Sequence, residues 1–295
     1  MGTSGFSLKA AFNFITLGFG LALSLQASPR PAQWDKAREL YQRTEYRESL
    51  GLLIGLPNKD AQVFQLAGQD WFMLGEYKKA TEAFEKALQM DPANSVTYHW
   101  LGRTSGRRAE TGMFLTAPGN ASKARQFFEK SVALDPRNQE AVNDLFDYYL
   151  EAPGFLGGGL NKAEELAAHI GTLNPAEGHY AQAQIKDKLK EYSDAEAHLR
   201  MAAELSPHQV GRWIDIAKYL AKLHRFVESE TMWEKAAKMA PDEPKVLYNR
   251  AETYVSTNRN LVEARKLLQE YMQSKLTPDD PSREQAQALL RKISN

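Results

Sequence analysis

The sequence predicts an all-α solenoid of about seven helix–turn–helix units, closed by a C-terminal helix. One observation is a small residue followed at a constant interval by proline. It occurs in five pairs: Ala80 and Pro92, Ala124 and Pro136, Ala163 and Pro175, Ala195 and Pro207, Ser229 and Pro241. The other is that apolar residues flank each small residue at helical spacing. Because proline cannot continue a helix, each pair marks the second helix of one unit.

The most regular unit spans 61–94. Its first helix places Gly68 and Trp71 on one apolar stripe, and its second helix places Ala80 and Phe84 on another. Small residues at Gly68 and Ala80 allow two antiparallel helices to cross closely. This pattern, in both its length and its small and aromatic positions, resembles a tetratricopeptide repeat.

The resemblance covers roughly 30–280 and implies a right-handed superhelical α-solenoid. Its first helices would form a concave groove that binds a segment of another protein. Some members of the family hold chaperone tails with lysines and asparagines, but Gln62, Gln65 and Gln69 occupy that surface here, which argues against such recognition. The predicted groove residues are Gln65, Gln69, Phe72, His99, Arg103, Asn143 and Asp147. An ordinary solvated wall remains the alternative for His99, Arg103, Asn143 and Asp147.

Residues 1–27 are predicted to be a signal peptide. Lys9 precedes an apolar run over 10–25, which is shorter than the roughly 20 residues that span a bilayer. Ser24 or Ala27 offers a small residue for cleavage. The alternatives are an uncleaved membrane anchor and a disordered apolar tail. We therefore expect an exported protein, periplasmic or secreted, or one held to the membrane by this segment.

The first unit is a truncated version of the same pattern, and the last unit carries extra residues. A truncated first unit fits at Tyr46, Ser49 and Leu53, and a last unit fits at Leu261 and Ala264. After the solenoid at 30–280, residues 281–295 read as one more helix with Ser282 as its N-cap. A solenoid leaves an apolar face bare at its end, and a terminal helix with a polar outer side covers that face.

Two neighbouring units carry insertions. The interval from Gly102 to Ala124 is ten residues longer than the corresponding interval from Gly68 to Ala80 in the regular unit. The sequence therefore predicts an enlarged hairpin loop near 103–121.

The next unit has a similar insertion near 150–161, where the interval from Phe146 to Ala163 is five residues longer than in the regular unit. Since all such turns emerge on one edge of a stacked array, we expect the two loops to lie side by side. The predicted partner-binding residues of this edge are Arg107, Arg108, Phe114, Leu115, Phe155 and Leu156. Two alternatives stay open: the apolar residues pack on each other and cover the scaffold, or they join two copies in a structural homo-oligomer.

Composition and motifs narrow the functional class. The 37 basic and 37 acidic residues cancel, so no overall charge favours nucleic acid. The chain has no cysteine, which excludes disulfides and thiolate zinc sites. Six histidines lack metal-ligand spacing, and no acid–base or nucleophilic constellation is visible. We expect a protein-binding scaffold or assembly factor in the cell envelope, with no enzymatic activity, cofactor, metal or nucleic-acid partner.

A run of glycines over 157–159 precedes Lys162. The phosphate-loop spacing G-x-x-x-x-G-K-[ST] is absent, because Ala163 follows the lysine and no strand comes before the glycines. The run is therefore predicted to be a turn that needs positive backbone dihedrals rather than a nucleotide site.

Overall fold

The computed structural model describes residues 32–294, with side chains described over 32–293, so the predicted signal peptide at 1–27 lies outside the described residues. The described part contains fifteen α-helices, one 3₁₀ turn and no strand. The helices are α1 Ala32–Gln42, α2 Tyr46–Gly55, α3 Ala61–Met73, α4 Tyr77–Met90, α5 Ser95–Thr111, α6 Ala117–Leu134, α7 Gln139–Glu151, α8 Leu160–Leu173, α9 Pro175–Lys188, α10 Tyr192–Leu205, α11 Val210–Lys222, α12 Phe226–Met239, α13 Pro244–Ser256, α14 Leu261–Gln273 and α15 Arg283–Ser294. The 3₁₀ turn, Gly154–Leu156, lies between α7 and α8. The predicted all-α solenoid is confirmed.

Consecutive helices pair as hairpins, from α1 with α2 to α13 with α14, and each hairpin packs on the next. Small residues and aromatic rings fit together at the crossings. A Cβ added to Gly68 would lie 2.5 Å from the ring of Phe84, and one added to Gly102 would lie 2.4 Å from the ring of Phe128. Phe84 also stacks on Trp100, which joins the second hairpin to the third.

The turns within hairpins follow one pattern with two exceptions. In five hairpins a residue with positive φ follows the first helix, which is a common way for a helix to end. These residues are Thr44, Gly75, Lys190, His224 and Asn258. The hairpins α5–α6 and α7–α8 lack this residue, because Gly112 and Ala152 follow their first helices with negative φ. These are the two hairpins with insertions.

The predicted loop near 103–121 is wrong for most of its length. Helix α5 has 17 residues where α3 has 13, and α6 has 18 where α4 has 14. Each helix is therefore about one turn longer, and only 112–116 separates them. The inserted residues extend the hairpin because a helix can continue past its crossing point without disturbing the packing there.

The second insertion, near 150–161, forms a compact turn. The Tyr148 hydroxyl donates to the Leu156 carbonyl at 3.0 Å, and the Gly159 amide donates to the Tyr149 carbonyl at 2.8 Å. Gly157 and Gly159 have positive φ. Lys162 Nζ donates to the Gly157 carbonyl at 2.9 Å.

Helix α15 packs against α13 and α14 and completes an apolar cluster that includes Tyr271, Ala286 and Leu289. A capping box starts it: the Gln285 amide donates to the Ser282 hydroxyl, and the Ser282 amide donates to the Gln285 side chain. No described helix is both long enough and apolar enough to cross a bilayer.

Candidate functional site: the groove wall

The first helices of neighbouring hairpins lie side by side. Contacts join α1 to α3, α3 to α5, α5 to α7, and α11 to α13. We call the surface formed by α3, α5, α7, α9, α11 and α13 the groove wall; it corresponds to the concave groove that the sequence predicts. Asparagine or aspartate side chains cap the starts of four of these helices, at Asp60, Asn94, Asn138 and Asn174.

The glutamine predicted for the groove at position 65 links two helices. The Thr97 hydroxyl on α5 donates to Gln65 Oε1 on α3 at 2.8 Å. Gln69 lies one turn further along α3 and is partly exposed. Phe72, at the end of α3, meets the Trp100 ring edge-on at 5.2 Å. Arg103 lies over both aromatic rings, so this part of the wall is aromatic with a cationic surface.

The prediction that His99 lines an accessible groove is wrong. The side chain is 2% exposed, and its Nε2 lies 2.7 Å from Asp144 Oδ2 on α7. Its ring also lies against Phe128 on α6. His99 thus joins three helices, and the residue beside it that reaches the wall is Arg103, whose Nε lies 3.9 Å from the same Asp144 oxygen.

Asp147 and Asn143 both lie on α7. The residue Asp147 is exposed overall, but its carboxylate is partly desolvated by neighbouring side chains of the wall. This desolvation, together with the nearby charge of Asp144, raises the pKa of Asp147 to about 6. A hydrogen bond from Gln184 on α9 acts in the opposite direction. The Asp147 carboxylate is therefore held in a place that disfavours its negative charge.

A cavity of about 550 Å³ opens in the wall between α9, α11 and α13. Its lining includes the apolar residues Ala183, Leu199 and Ile214 and the tyrosines Tyr180 and Tyr219. Polar and charged side chains also line it: Gln184, Asp187, Asp215, Lys218, Lys222, Lys245 and Asn249. We call this space the groove cavity.

Gly211 on α11 leaves the groove cavity open. Apart from its chain neighbours and the backbone of its own helix, no atom lies within 4 Å of a Cβ added at Gly211. Gly68 and Gly102 differ, because a Cβ there would meet an aromatic ring. A side chain at this position would extend into empty space rather than into the core.

Charged pairs fix the helices around the groove cavity. Arg212 is buried; it bonds to Glu177 on α9, donates to Asp215 at 3.0 Å, and lies over the Tyr180 ring. Lys218 donates to Asn249 at 3.0 Å and to Glu252 at 3.1 Å, which ties α11 to α13. Burial raises the pKa of Asp215 to about 6, although Arg212 acts in the opposite direction.

The residues predicted for the loop edge are separated by the structure. Arg107 and Arg108 lie on α5 and contact α4: Arg107 lies by Tyr77, and Arg108 donates to the Thr81 hydroxyl at 3.3 Å. Phe114 and Leu115 lie in the short α5–α6 loop, both 89% exposed, and Phe155 is 83% exposed on the 3₁₀ turn. The alternative in which these residues cover the scaffold fits only Leu156, which is partly buried.

Comparisons with known proteins agree with this architecture. A family model described as tetratricopeptide repeat matches residues 61–94, and a second with the same description matches residues 214–281. A solved tetratricopeptide repeat protein from Parabacteroides merdae has 14% identity and a TM-score of 0.57, covering 89% of this chain and 98% of its own. A thermophilic tetratricopeptide repeat protein of Thermus thermophilus has 23% identity and a TM-score of 0.50, covering 66% of this chain and 99% of its own. No curated protein matches.

The chain is a tetratricopeptide-repeat protein. Tetratricopeptide repeats generally mediate binding to other proteins, and proteins made of them are generally scaffolds rather than enzymes. Within the described residues no group of three or more histidine, aspartate or glutamate side chains is arranged to hold a metal ion.

The register of the tetratricopeptide repeat also locates groove residues that the sequence analysis did not predict. In the regular unit, Gln62 and Gln69 precede the small residue Ala80 by fixed intervals. The same intervals counted back from Ser229 give Gly211 and Lys218, which line the groove cavity. The register that located the helices therefore also contains the positions of the groove.

Proposed function

We propose that this protein is an adaptor of the cell envelope that holds an extended segment of a partner protein against its groove wall. The envelope location is supported by the signal-peptide pattern of residues 1–27. The mode of binding is supported by the groove cavity, which combines an apolar floor with a polar and charged rim.

The observation that carries this proposal is the open space at Gly211. The floor formed by Ala183, Leu199 and Ile214 suits one bulky apolar side chain, because burying such a side chain supplies most of the affinity of a short segment. Tyr180 and Tyr219 flank the floor and offer rigid rings to contact it.

The charged rim of the groove cavity would orient a bound segment rather than attract it strongly. Lys222 pairs with Asp187, and Lys218 is held by Asn249 and Glu252, so most of the charges already have partners. Lys245 forms no ion pair with any described residue, and it is the rim cation left for a partner's acceptor group. Such a polar surround around an apolar centre is typical of protein interfaces.

The test is the substitution Gly211→Phe, which places a ring in the cavity from a position where the added Cβ meets no atom within 4 Å. We expect it to abolish capture of the partner when the tagged full chain is cross-linked in a native envelope fraction and the captured proteins are compared by mass spectrometry. The matched control is Gly51→Phe on α2, where a Cβ likewise meets no atom within 4 Å.

A protein captured by the native chain and by Gly51→Phe, but not by Gly211→Phe, supports the proposal. Equal capture by Gly211→Phe contradicts it, provided that circular dichroism shows native helicity. The captured protein should then yield a segment with a bulky apolar residue that binds the native chain in a calorimetric titration.

A further inference from the structure

The α5–α6 loop presents three consecutive large apolar side chains to solvent. Met113, Phe114 and Leu115, which we call the hairpin tip, are 74%, 89% and 89% exposed. The loop itself is ordered by local hydrogen bonds: the Met113 carbonyl accepts from the amides of Thr116 and Ala117 and from the Thr116 hydroxyl. The exposed side chains are thus carried by a fixed turn, and exposure of this kind marks an interaction site.

The hairpin tip stands beyond the level of the neighbouring regular hairpin. Helix α3 ends five residues after Gly68, whereas α5 ends nine residues after the equivalent Gly102. Four additional residues lengthen a helix by about 6 Å. An extended object can therefore be reached by the tip before it meets the rest of this edge.

Directly behind the tip lies a cavity of about 570 Å³ whose mostly apolar lining carries a few polar side chains that suit an anion. Arg108 and Lys123 supply positive charge, and Asn120 supplies an amide donor. Neither Arg108 nor Lys123 forms an ion pair with a described residue, whereas the adjacent Arg107 is paired with Glu110 at 2.5 Å. Gly119 keeps the cavity open, since a Cβ added there would meet nothing within 4 Å.

We propose that the hairpin tip inserts into the surface of an anionic phospholipid bilayer, with a lipid phosphate held by Arg108 and Lys123. Apolar side chains backed by cations are the arrangement that binds such an interface, since the apolar groups enter the acyl boundary while the cations remain at the headgroups. A bilayer accepts an irregular apolar projection without a matching hollow, which a protein partner would need to supply. This surface is separate from the groove cavity, so the inference does not depend on the proposed function.

The experiment places a fluorescent reporter at the tip. The chain has no cysteine, so Met113→Cys gives a single labelling site next to the intact Phe114 and Leu115. The full chain, labelled with an environment-sensitive dye, is titrated with phosphatidylcholine vesicles containing or lacking phosphatidylglycerol. We expect a blue shift with anionic vesicles and a weak one with neutral vesicles.

Two changes in the labelled chain separate the parts of the site. Phe114→Ser with Leu115→Ser should raise the half-saturating lipid concentration at least about tenfold, because the apolar contribution is lost. Arg108→Gln with Lys123→Gln should reduce the preference for anionic vesicles and its salt dependence. The control is Val262→Cys near the start of α14, an 87% exposed apolar residue that belongs neither to the hairpin tip nor to the lining of the cavity behind it.

All variants carry the same N-terminal segment, so vesicle binding through that segment affects each of them equally. A reporter at position 113 that behaves like the one at position 262 overturns the proposal. The proposal is also overturned if the variant with serine at positions 114 and 115 has the same half-saturating lipid concentration as the native sequence. If inorganic phosphate produces the same shift without vesicles, the cavity binds a free anion and the proposal is overturned. A shift that depends on protein concentration rather than on lipid concentration also overturns it.

Discussion

At the crossing of α8 and α9, a Cβ on Gly178 would lie 2.4 Å from the Cα of Gly171, whereas no atom lies within 4 Å of a Cβ on Gly211. At Gly178 the missing side chain lets two backbones touch, whereas at Gly211 it leaves the groove cavity open. The same residue type therefore serves close packing on one side of the helices and accessible space on the other. Substitutions at each place distinguish the two roles.

The largest effect is expected from Gly178→Ala. Its added methyl group meets backbone rather than a movable side chain, so α8 and α9 must separate. We expect a loss of about 3 kcal/mol in the free energy of unfolding, measured by urea denaturation followed by circular dichroism. A loss below about 0.5 kcal/mol would mean that the helices are not in contact at this point.

Two carboxyl groups extend the comparison between the packed interior and the groove. Asp70 is fully buried, and this burial raises its pKa to about 8, although the Ser49 hydroxyl donates to it at 2.8 Å. Asp147, on the groove wall, has its pKa raised to about 6. Ionisation of Asp70 therefore destabilises the packed interior, whereas Asp147 is accessible to a ligand.

We expect Asp70→Asn to stabilise the protein at pH 8 by about 2 kcal/mol. The folded state keeps the Asp70 proton up to about pH 8, while the unfolded chain releases it near 3.8. Native stability therefore falls as pH rises between these values, and the variant should show a flatter profile. Urea unfolding at pH 5 and pH 8 measures this, and equal slopes for both proteins would contradict it.

Gly102→Ala tests a packing contact that can adjust. Its Cβ would lie 2.4 Å from the Phe128 ring, which can move where a backbone cannot. We expect a loss of about 1–2 kcal/mol in the free energy of unfolding. Adding Phe128→Leu to Gly102→Ala should cost less than the sum of the single changes, and strict additivity in this double-mutant cycle would show that the two residues do not interact.

The smallest effect is expected from Gly211→Ala. A methyl group enters open space, and replacing a helical glycine removes conformational freedom from the unfolded chain. We expect a gain of about 0.5–1 kcal/mol in the free energy of unfolding by the same urea assay. A loss instead would indicate that the position is packed in solution and that the groove cavity is closed.

The sequence was sufficient for the helix hairpins because their crossings constrain residue size. Gly68 under Phe84 and Gly102 under Phe128 repeat the same steric requirement, and the structure contains those contacts. The sequence was insufficient at 103–121 because spacing reveals only that residues have been inserted. Whether they form a loop or extend α5 and α6 depends on helix formation beyond the crossing, which the repeat period does not specify.

The groove was harder to predict than the scaffold. His99 occupies a position that faces the groove in the repeat register, yet Asp144 and Phe128 draw it into a buried junction. Gly211 has no side chain that would mark it as a binding residue in the sequence, and its importance depends on what surrounds it in three dimensions. Groove chemistry therefore depends on pairs from different helices, which a reading along one chain does not reveal.

The side-chain links between first helices differ in their expected response to salt. The Thr97 to Gln65 link is neutral, whereas Lys218 and Glu252 form a partly exposed ion pair that dissolved salt weakens. We expect the ion pair between α11 and α13 to weaken as ionic strength rises, while the hydrogen bond from Lys218 to Asn249 remains. The rim of the groove cavity would then respond to ionic strength, whereas the neutral link between α3 and α5 would not.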